Sequence, residues 1–414
     1  MLGQRTIADR LATVRAAQNV AQPARPRVVA DDRVAALASW FDARTDVVEG
    51  GTALVIERSV PIPPVAAAAL AALPSASYFD TETTGLSTGA GTVIFLAASA
   101  RLDGERMRVR QFLLPDYPHE PALLRALTAE LRSVERLVTY NGRTFDLPML
   151  AARLTVHGLF RHQSAIPDAH DDLLPLARRL FRRPLGGARL ADVEAGVLGV
   201  RRISDCAGSE VPARYFGYLA GGSPDILAEV LDHNLQDVVS LALLEAEFCR
   251  LRGGGWREAR VLDARGMALD LLRLGAVDDA LELVETAQAE ATDPAEANAL
   301  RRVAARLLIG IGLVDRAEEL WTLGTRRASV DAAAAWIEVA RIRERHRGDL
   351  RGAMEAAASA SRVLDVAFAL GRGGSLAEVG RTRLTVERRL RRLRRWVEAA
   401  ERRAERERRR ARVA

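Results

Sequence analysis

Asp80 and Glu82 stand two residues apart in the run Tyr78-Phe-Asp-Thr-Glu-Thr-Thr-Gly-Leu86, and their surroundings restrict the backbone strongly. Tyr78-Phe79 opens an extended segment, and side chains two apart on a strand share a face. Asp80 and Glu82 therefore point one way while Thr81 points the other. Two more acids follow much later, Asp146 in Asn141-Gly-Arg-Thr-Phe-Asp146 and Asp237 in His233-Asn-Leu-Gln-Asp237. Gathered within a few ångströms, four carboxylates repel one another, and such a cluster is tolerable chiefly when divalent cations hold it together. Two such ions suit phosphodiester hydrolysis.

The intervening sequence can assemble them. After a turn at Thr83 to Leu86, the stretches Thr92–Ser99 and Met107–Leu114 read as strands of an antiparallel meander, joined at Leu102-Asp-Gly-Glu105. Pro121 to Leu131 has helical spacing with Pro at its start. Arg136–Tyr140 reads as a short strand, and Asn141 to Asp146 opens a helix over Leu147–Leu154, which puts Asp146 at a strand-to-helix junction. Pro224 to Leu251 predicts a long amphipathic helix with His233 and Asp237 four apart on one face. Asp168, His170, Asp171 and Asp172 read as turn and structural residues rather than ligands.

These motifs, in this order, resemble the DEDD (DnaQ-like) 3′–5′ exonucleases of the RNase H-like superfamily over roughly residues 77 to 250. The stretches 85 to 92, His170-Asp-Asp-Leu-Leu174 and Gly208-Ser-Glu-Val-Pro212 look like local signatures of its YprB-like branch, bacterial proteins in which such a domain precedes helical repeats. The resemblance implies that Asp80, Glu82, Asp146 and Asp237 hold two Mg²⁺ or Mn²⁺ ions. It also implies that Asn141 and Phe145 shape the second motif, and that Thr83, Thr84, Gly85 and Leu86 receive the terminal nucleotide, with Leu86 wedged against its base. The third motif departs from the family. Its Tyr-type subgroup has Tyr-x-x-x-Asp and its His-type has His-x-x-x-x-Asp, whereas this chain has His233 at the Tyr-type spacing and Asp232 at the other. His233 is the natural candidate to handle the water's proton.

Beyond residue 252 the pattern turns helical. Gly275, Gly312 and Gly348 are each followed five residues later by Ala280, Ala317 and Ala353, and the glycines recur 37 and 36 apart. This reads as a helical-hairpin array similar to tetratricopeptide repeats, with small residues letting helices cross closely and a surface for a protein partner. Residues 381–414 hold 15 Arg and 5 Glu, a net +10 against +6 for the whole chain, so the rest sums to −4. Lys is absent. An Arg-rich helix there could track phosphates. A second basic group, Arg178, Arg179, Arg182, Arg183 and Arg189 with Arg201-Arg202, flanks a turn at Pro184 to Gly187; Arg178 and Arg182 are its candidate substrate contacts.

Ile7 to Gln18 and Gln22 to Arg27 read as a short helix and linker without the apolar core of a signal peptide. Val60 to Leu73 is Pro-interrupted and too short to span a bilayer, and Cys206 and Cys249 make neither a disulfide framework nor a zinc site. A cytoplasmic protein without a membrane partner is expected. The expected architecture is an α/β RNase H-like mixed sheet flanked by helices, followed by an all-α TPR-like domain. Its divisions are 1–50 (N-terminal helix and linker), 51–251 (exonuclease domain), 252–380 (repeats) and 381–414 (Arg-rich helix). The expected activity is 3′–5′ exonucleolysis of single-stranded DNA or RNA to 5′-monophosphates. A nucleic-acid-binding or scaffold protein with little turnover, and an RNase H-like endonuclease, are the alternatives.

Overall fold

The computed structural model describes residues 30–85, 91–202, 208–325, 328–371 and 375–411. The expected N-terminal helix and linker, Leu86 and Cys206 lie outside the described residues. The chain forms two compact units, Met1–Pro175 with Arg189–Cys249, and Leu176–Ala188 with Arg250–Ala414.

The first unit is built on one mixed sheet. Its strands are β1 (Arg44–Val48), β2 (Gly51–Pro61), β3 (Ala76–Thr83), β4 (Ile94–Asp103), β5 (Arg106–Leu113), β6 (Arg136–Thr139) and β7 (Ala169–Asp172), ordered β1-β2-β5-β4-β3-β6-β7. β1 to β5 pair antiparallel as far as β3, which faces β4 on one edge and runs parallel to β6 on the other. β3 is thus the strand at which the antiparallel half of the sheet meets the parallel half. The meander is as expected, although β4 continues to Asp103, so the turn tightens to Gly104-Glu105, with Gly104 at φ +59.

The edge hairpin was not expected. β2 carries Ala53, Leu54, Val55 and Ile56 as four consecutive buried residues, a two-sided core stretch that gives way from Glu57 to an alternating, partly exposed end. The boundary expected at residue 51 falls inside this β1–β2 hairpin. The Ala30–Phe41 helix before it also belongs to this unit, since Leu37 is fully buried among Leu54, Phe95 and Leu113 in the same core. Phe95 stacks on Tyr215 with ring centroids 4.3 Å apart, anchoring the Val211–Leu219 helix to the sheet.

In the second unit, Gly275, Gly312 and Gly348 each follow a helix that ends at Arg273, Gly310 and His346, and precede partners beginning at Val277, Val314 and Leu350. All three have positive φ, +79, +82 and +66, and a Cβ added at any of them would meet nothing within 4 Å. They are required by the left-handed backbone that ends a helix, not by a close helix crossing as the sequence pattern implied. Ala280, Ala317 and Ala353, by contrast, are each fully buried. The unit ends with a 36-residue helix, Leu376–Ala411, that packs through Val379, Val386, Leu393 and Val397. Among the described residues no helix is long and apolar enough to cross a membrane.

Candidate active site

The site forms where β3 ends and three later segments converge on it. Asp80 and Glu82 project from one face of β3, opposite Ala98 and Leu96 of β4, whose small and aliphatic side chains offer no competing charge. The β3–β4 register then shifts between Glu82 and Thr83, an irregularity that re-aims the chain into the following turn. In that turn Thr83 Oγ1 donates to the Gly85 carbonyl at 2.7 Å, and Thr84 Oγ1 accepts from the Val93 amide at 2.9 Å. Both hydroxyls brace the loop in this arrangement.

Asp146 arrives through a tight junction after β6. Asn141 takes φ +70, a conformation that Asn tolerates better than most residues, and its side-chain oxygen accepts from Thr144 Oγ1 at 2.8 Å. Gly142 is compulsory, because a Cβ there would lie 2.5 Å from Thr139 Oγ1. Asp172 of β7 accepts the Asn141 amide at 2.8 Å and the Leu174 amide at 3.1 Å, so this acid holds the junction, as expected. His170 Nε2 likewise pairs with Thr139 Oγ1 at 2.8 Å, and Asp171 with Arg136. Phe145 is half-buried just ahead of the Asp146–Val156 helix.

Asp237 comes from the Ala228–Arg252 helix, and a rivet at the far end of β3 sets that helix's position. Tyr78 Oη donates to Glu245 at 2.7 Å, while Arg136 of β6 donates to the same carboxylate at 2.6 Å. Two helical turns back from Glu245 lies Asp237, with Asn234 and His233 one further turn away. Asp232, the residue at the alternative spacing, is exposed and pairs with Arg58 at 2.8 Å.

Hydrogen bonds orient the carboxylates. Gln111 of β5 donates to the Leu231 carbonyl at 2.8 Å and to Asn234 Oδ1 at 3.2 Å, which turns the Asn234 amide nitrogen toward Asp80 Oδ2 at 2.9 Å. Thr81 reaches Asp146 Oδ1 at 2.5 Å. Arg202 donates to Glu194, to His233 Nδ1 and to Asp237 Oδ1. The sequence reading missed Thr81, Asn234, Gln111 and Glu194, and named Arg202 only as one of a basic group. Asn234 had a usable signal: Asn in a helix interior next to a motif residue costs stability unless its amide has buried partners.

All four carboxyls are raised above their ordinary values. Burial foremost, then Asp237, Asp146 and Glu82, drive the Asp80 carboxyl well above the usual carboxylate range. Glu82 is raised likewise by burial, Asp237 and Asp146. Asp146 is pushed up to about 6 by burial, against hydrogen bonds from Thr81 and the backbone. Burial also raises Asp237, opposed by His233 and Arg202. Four hard oxygen donors, all raised by burial and two of them, Asp80 and Glu82, also by the charges of Asp237 and Asp146, match the needs of a divalent cation. Among the described residues no three acidic, cysteine or histidine side chains are arranged to share an ion as they stand. Oxygens of Asp237, Asp146 and Asp80 are instead engaged by Arg202, Thr81 and Asn234 respectively.

Arg178 and Arg182 are exposed and belong to the second unit, whereas the carboxylates belong to the first. Their neighbours Arg179 and Arg183 pair with Asp270 at 3.3 Å and Glu296 at 2.5 Å within that second unit.

Residues 77–249 match a family model described as the RNase_H superfamily. The chain is 43% identical over 169 residues to the uncharacterized protein YprB of Bacillus subtilis (strain 168), covering 40% of each sequence, so it spans well under half of that relative's length. A solved structure of the family B DNA polymerase from the hyperthermophilic archaeon Pyrobaculum calidifontis is similar over 51% of this chain and 29% of its own, with a TM-score of 0.34 and 15% identity. On the match over residues 77–249, the segment that supplies the four acids is an RNase H-like superfamily domain, and an all-helical region follows it in the chain.

Proposed function

We propose that the protein is a metal-dependent 3′–5′ exonuclease acting on single-stranded nucleic acid. The observation that carries this reading is the gathering of Asp80, Glu82, Asp146 and Asp237 at the end of β3, where burial raises all four and the charges of Asp237 and Asp146 raise Asp80 and Glu82 further, within a segment that matches the RNase H-like superfamily. These four would hold two Mg²⁺ or Mn²⁺ ions. Such a pair, when bound, acidifies the attacking water and stabilises the leaving oxygen. The chain's own residues do the positioning. Asn234 fixes Asp80, Thr81 fixes Asp146, and His233 faces the same cluster four residues before Asp237, where it would orient the water. Asn141 and Phe145 shape the second motif, Thr83 to Gly85 with Leu86 would border the terminal nucleotide, and Arg178 and Arg182 are proposed backbone contacts. A catalytically weak nucleic-acid-binding protein is the second reading, favoured by the pairing of Arg202 with Asp237.

The test is a side-by-side digestion of 5′-labelled, 3′-labelled and circular DNA and RNA with Mg²⁺ or Mn²⁺. An exonuclease of this polarity releases the 3′ label first as a mononucleotide and spares circles. Cleaved circles would instead indicate an endonuclease, and binding without turnover the second reading.

The Arg-rich helix is less free than its composition implies. Arg383 pairs with Asp365 at 2.8 Å, and Arg389 and Arg392 each reach Glu344 at 2.7 Å. Arg388, Arg391 and Arg395 are exposed on one face and are the side chains proposed to reach phosphates. Deleting the helix would strip Val386, Leu393 and Val397 from their packing, so the informative variant replaces these three arginines with Gln. If each meets one phosphate, the slope of log affinity against log salt on long single strands should flatten by about 2, at roughly 0.7 per contact. An unchanged slope would assign the face to water or to a protein.

A further inference from the structure

Arg202 lies outside the third motif but bonds to two of its side chains, His233 and Asp237, and that bonding bears on a question that the motif's spacing left open. It follows the π-helical turn Glu194–Leu198, which Gly199 ends at φ +69. Arg202 Nε and Nη2 donate to the two Glu194 oxygens at 2.6 and 3.0 Å, and Glu194 is 1% exposed. That buried, two-pronged pair holds the guanidinium in a fixed plane. From there Nη1 lies 2.9 Å from His233 Nδ1, and Nη2 pairs with Asp237 Oδ1. Arginine keeps its proton in proteins and has no acceptor atom. His233 Nδ1 must therefore accept, and the neutral ring carries its hydrogen on Nε2. That nitrogen lies 3.8 Å from Glu82 Oε1 and 3.6 Å from Asp237 Oδ2.

Building on the nuclease reading above, we propose that Arg202 is a positioning residue. Braced by Glu194, it fixes His233 as the Nε2–H tautomer and serves as the counter-cation of Asp237 until a divalent cation takes over that carboxylate. In this tautomer His233 presents a hydrogen-bond donor to the cluster. It orients water or a phosphate oxygen by donating, and is not the group that accepts the water's proton, as its place in the motif first implied. Asp237 has two cationic suitors, so the guanidinium and the divalent ion compete for it.

Removing Arg202 alone would orphan the buried Glu194 carboxylate and risk the fold. The working variant therefore combines Arg202→Met with Glu194→Gln, and Arg202→Lys serves as the charge-conserving comparison. Two readouts on folded, initially metal-free protein decide the matter. Long-range ¹H–¹⁵N spectra of histidine-labelled protein, assigned with His233→Gln, report the tautomer. Manganese titration followed by the paramagnetic resonance of free Mn²⁺ reports affinity. Wild type should show the Nε2–H pattern and the double variant a mixture of tautomers. Manganese should bind the double variant about 10- to 100-fold more tightly, the worth of one charge-assisted hydrogen bond, and Arg202→Lys close to wild type. An Nδ1–H tautomer in wild type, or unchanged manganese affinity in the folded double variant, would overturn the proposal. If manganese binds none of these proteins, and Asp80→Asn behaves like wild type, the metal reading has failed and the tautomer spectra alone judge Arg202.

Discussion

Asp80→Asn should lower hydrolysis by about three orders of magnitude or more, because a metal-ion site supplies several kcal/mol of transition-state stabilisation and each 1.36 kcal/mol is tenfold in rate. The same change should raise the melting temperature of the metal-free protein at neutral pH. Asp80 is buried beside three other acids, all of which push its proton affinity up, so its ionised form is held at a cost to the fold. Asparagine keeps the shape and can still meet the Asn234 amide by presenting its own oxygen. Rate and melting point would thus move in opposite directions, a combination that a merely structural residue does not produce. Wild-type turnover in the variant, or activity that survives EDTA, would remove Asp80 from the reaction.

The metal-free protein should also lose stability as pH rises from about 4 through about 6, and divalent cations should restore it at the upper end only. The sign follows from proton uptake. The cluster carboxyls have folded pKa values above their ordinary ones, with Asp146 at about 6, so the native state binds more protons than the unfolded chain across this interval. Their contribution is complete below the unfolded value near 4 and is lost as pH climbs through the folded values. For Asp146 alone the loss is on the order of 2–3 kcal/mol. A cation binds the ionised cluster, so Mg²⁺ or Mn²⁺ should raise the melting temperature at pH 7.5 and barely change it at pH 4.5. Calorimetry over this range with and without metal checks it. Equal metal-induced shifts at both pH values would place the ion elsewhere.

Periodicity made the centre of the fold legible. The alternation Asp80-Thr81-Glu82 marked β3 and its acidic face, the β4–β5 meander announced itself through its Gly104 turn, and the four-residue spacing of His233 and Asp237 fixed a helix. The β1–β2 hairpin was hidden because Ala53 to Ile56 of β2 are buried on both faces and interrupt the period of two that its second half shows. The bonds that orient the site were hidden for another reason. Asn234 serves Asp80 across 154 positions and Thr81 serves Asp146 across 65, and neither pairing leaves a local trace in the chain. The repeat glycines show a third kind of shortfall. Their recurrence was visible, but the sign of φ that explains it is a property of the folded backbone.

The order in which the acids occur along the chain has a consequence for synthesis. A growing polypeptide delivers Asp80, Glu82 and Asp146 first, and Asp237, with Asn234 that steadies Asp80, emerges 91 residues after Asp146. At cellular translation rates that interval lasts roughly 5–20 s. Throughout it the nascent chain lacks the complete helix on which Glu245 grips Tyr78, so the cluster is incomplete. Any hydrolytic competence thus arrives late and all at once, when the unit is nearly finished, and a prematurely released fragment ending before residue 228 would carry the first three acids without the power to cut.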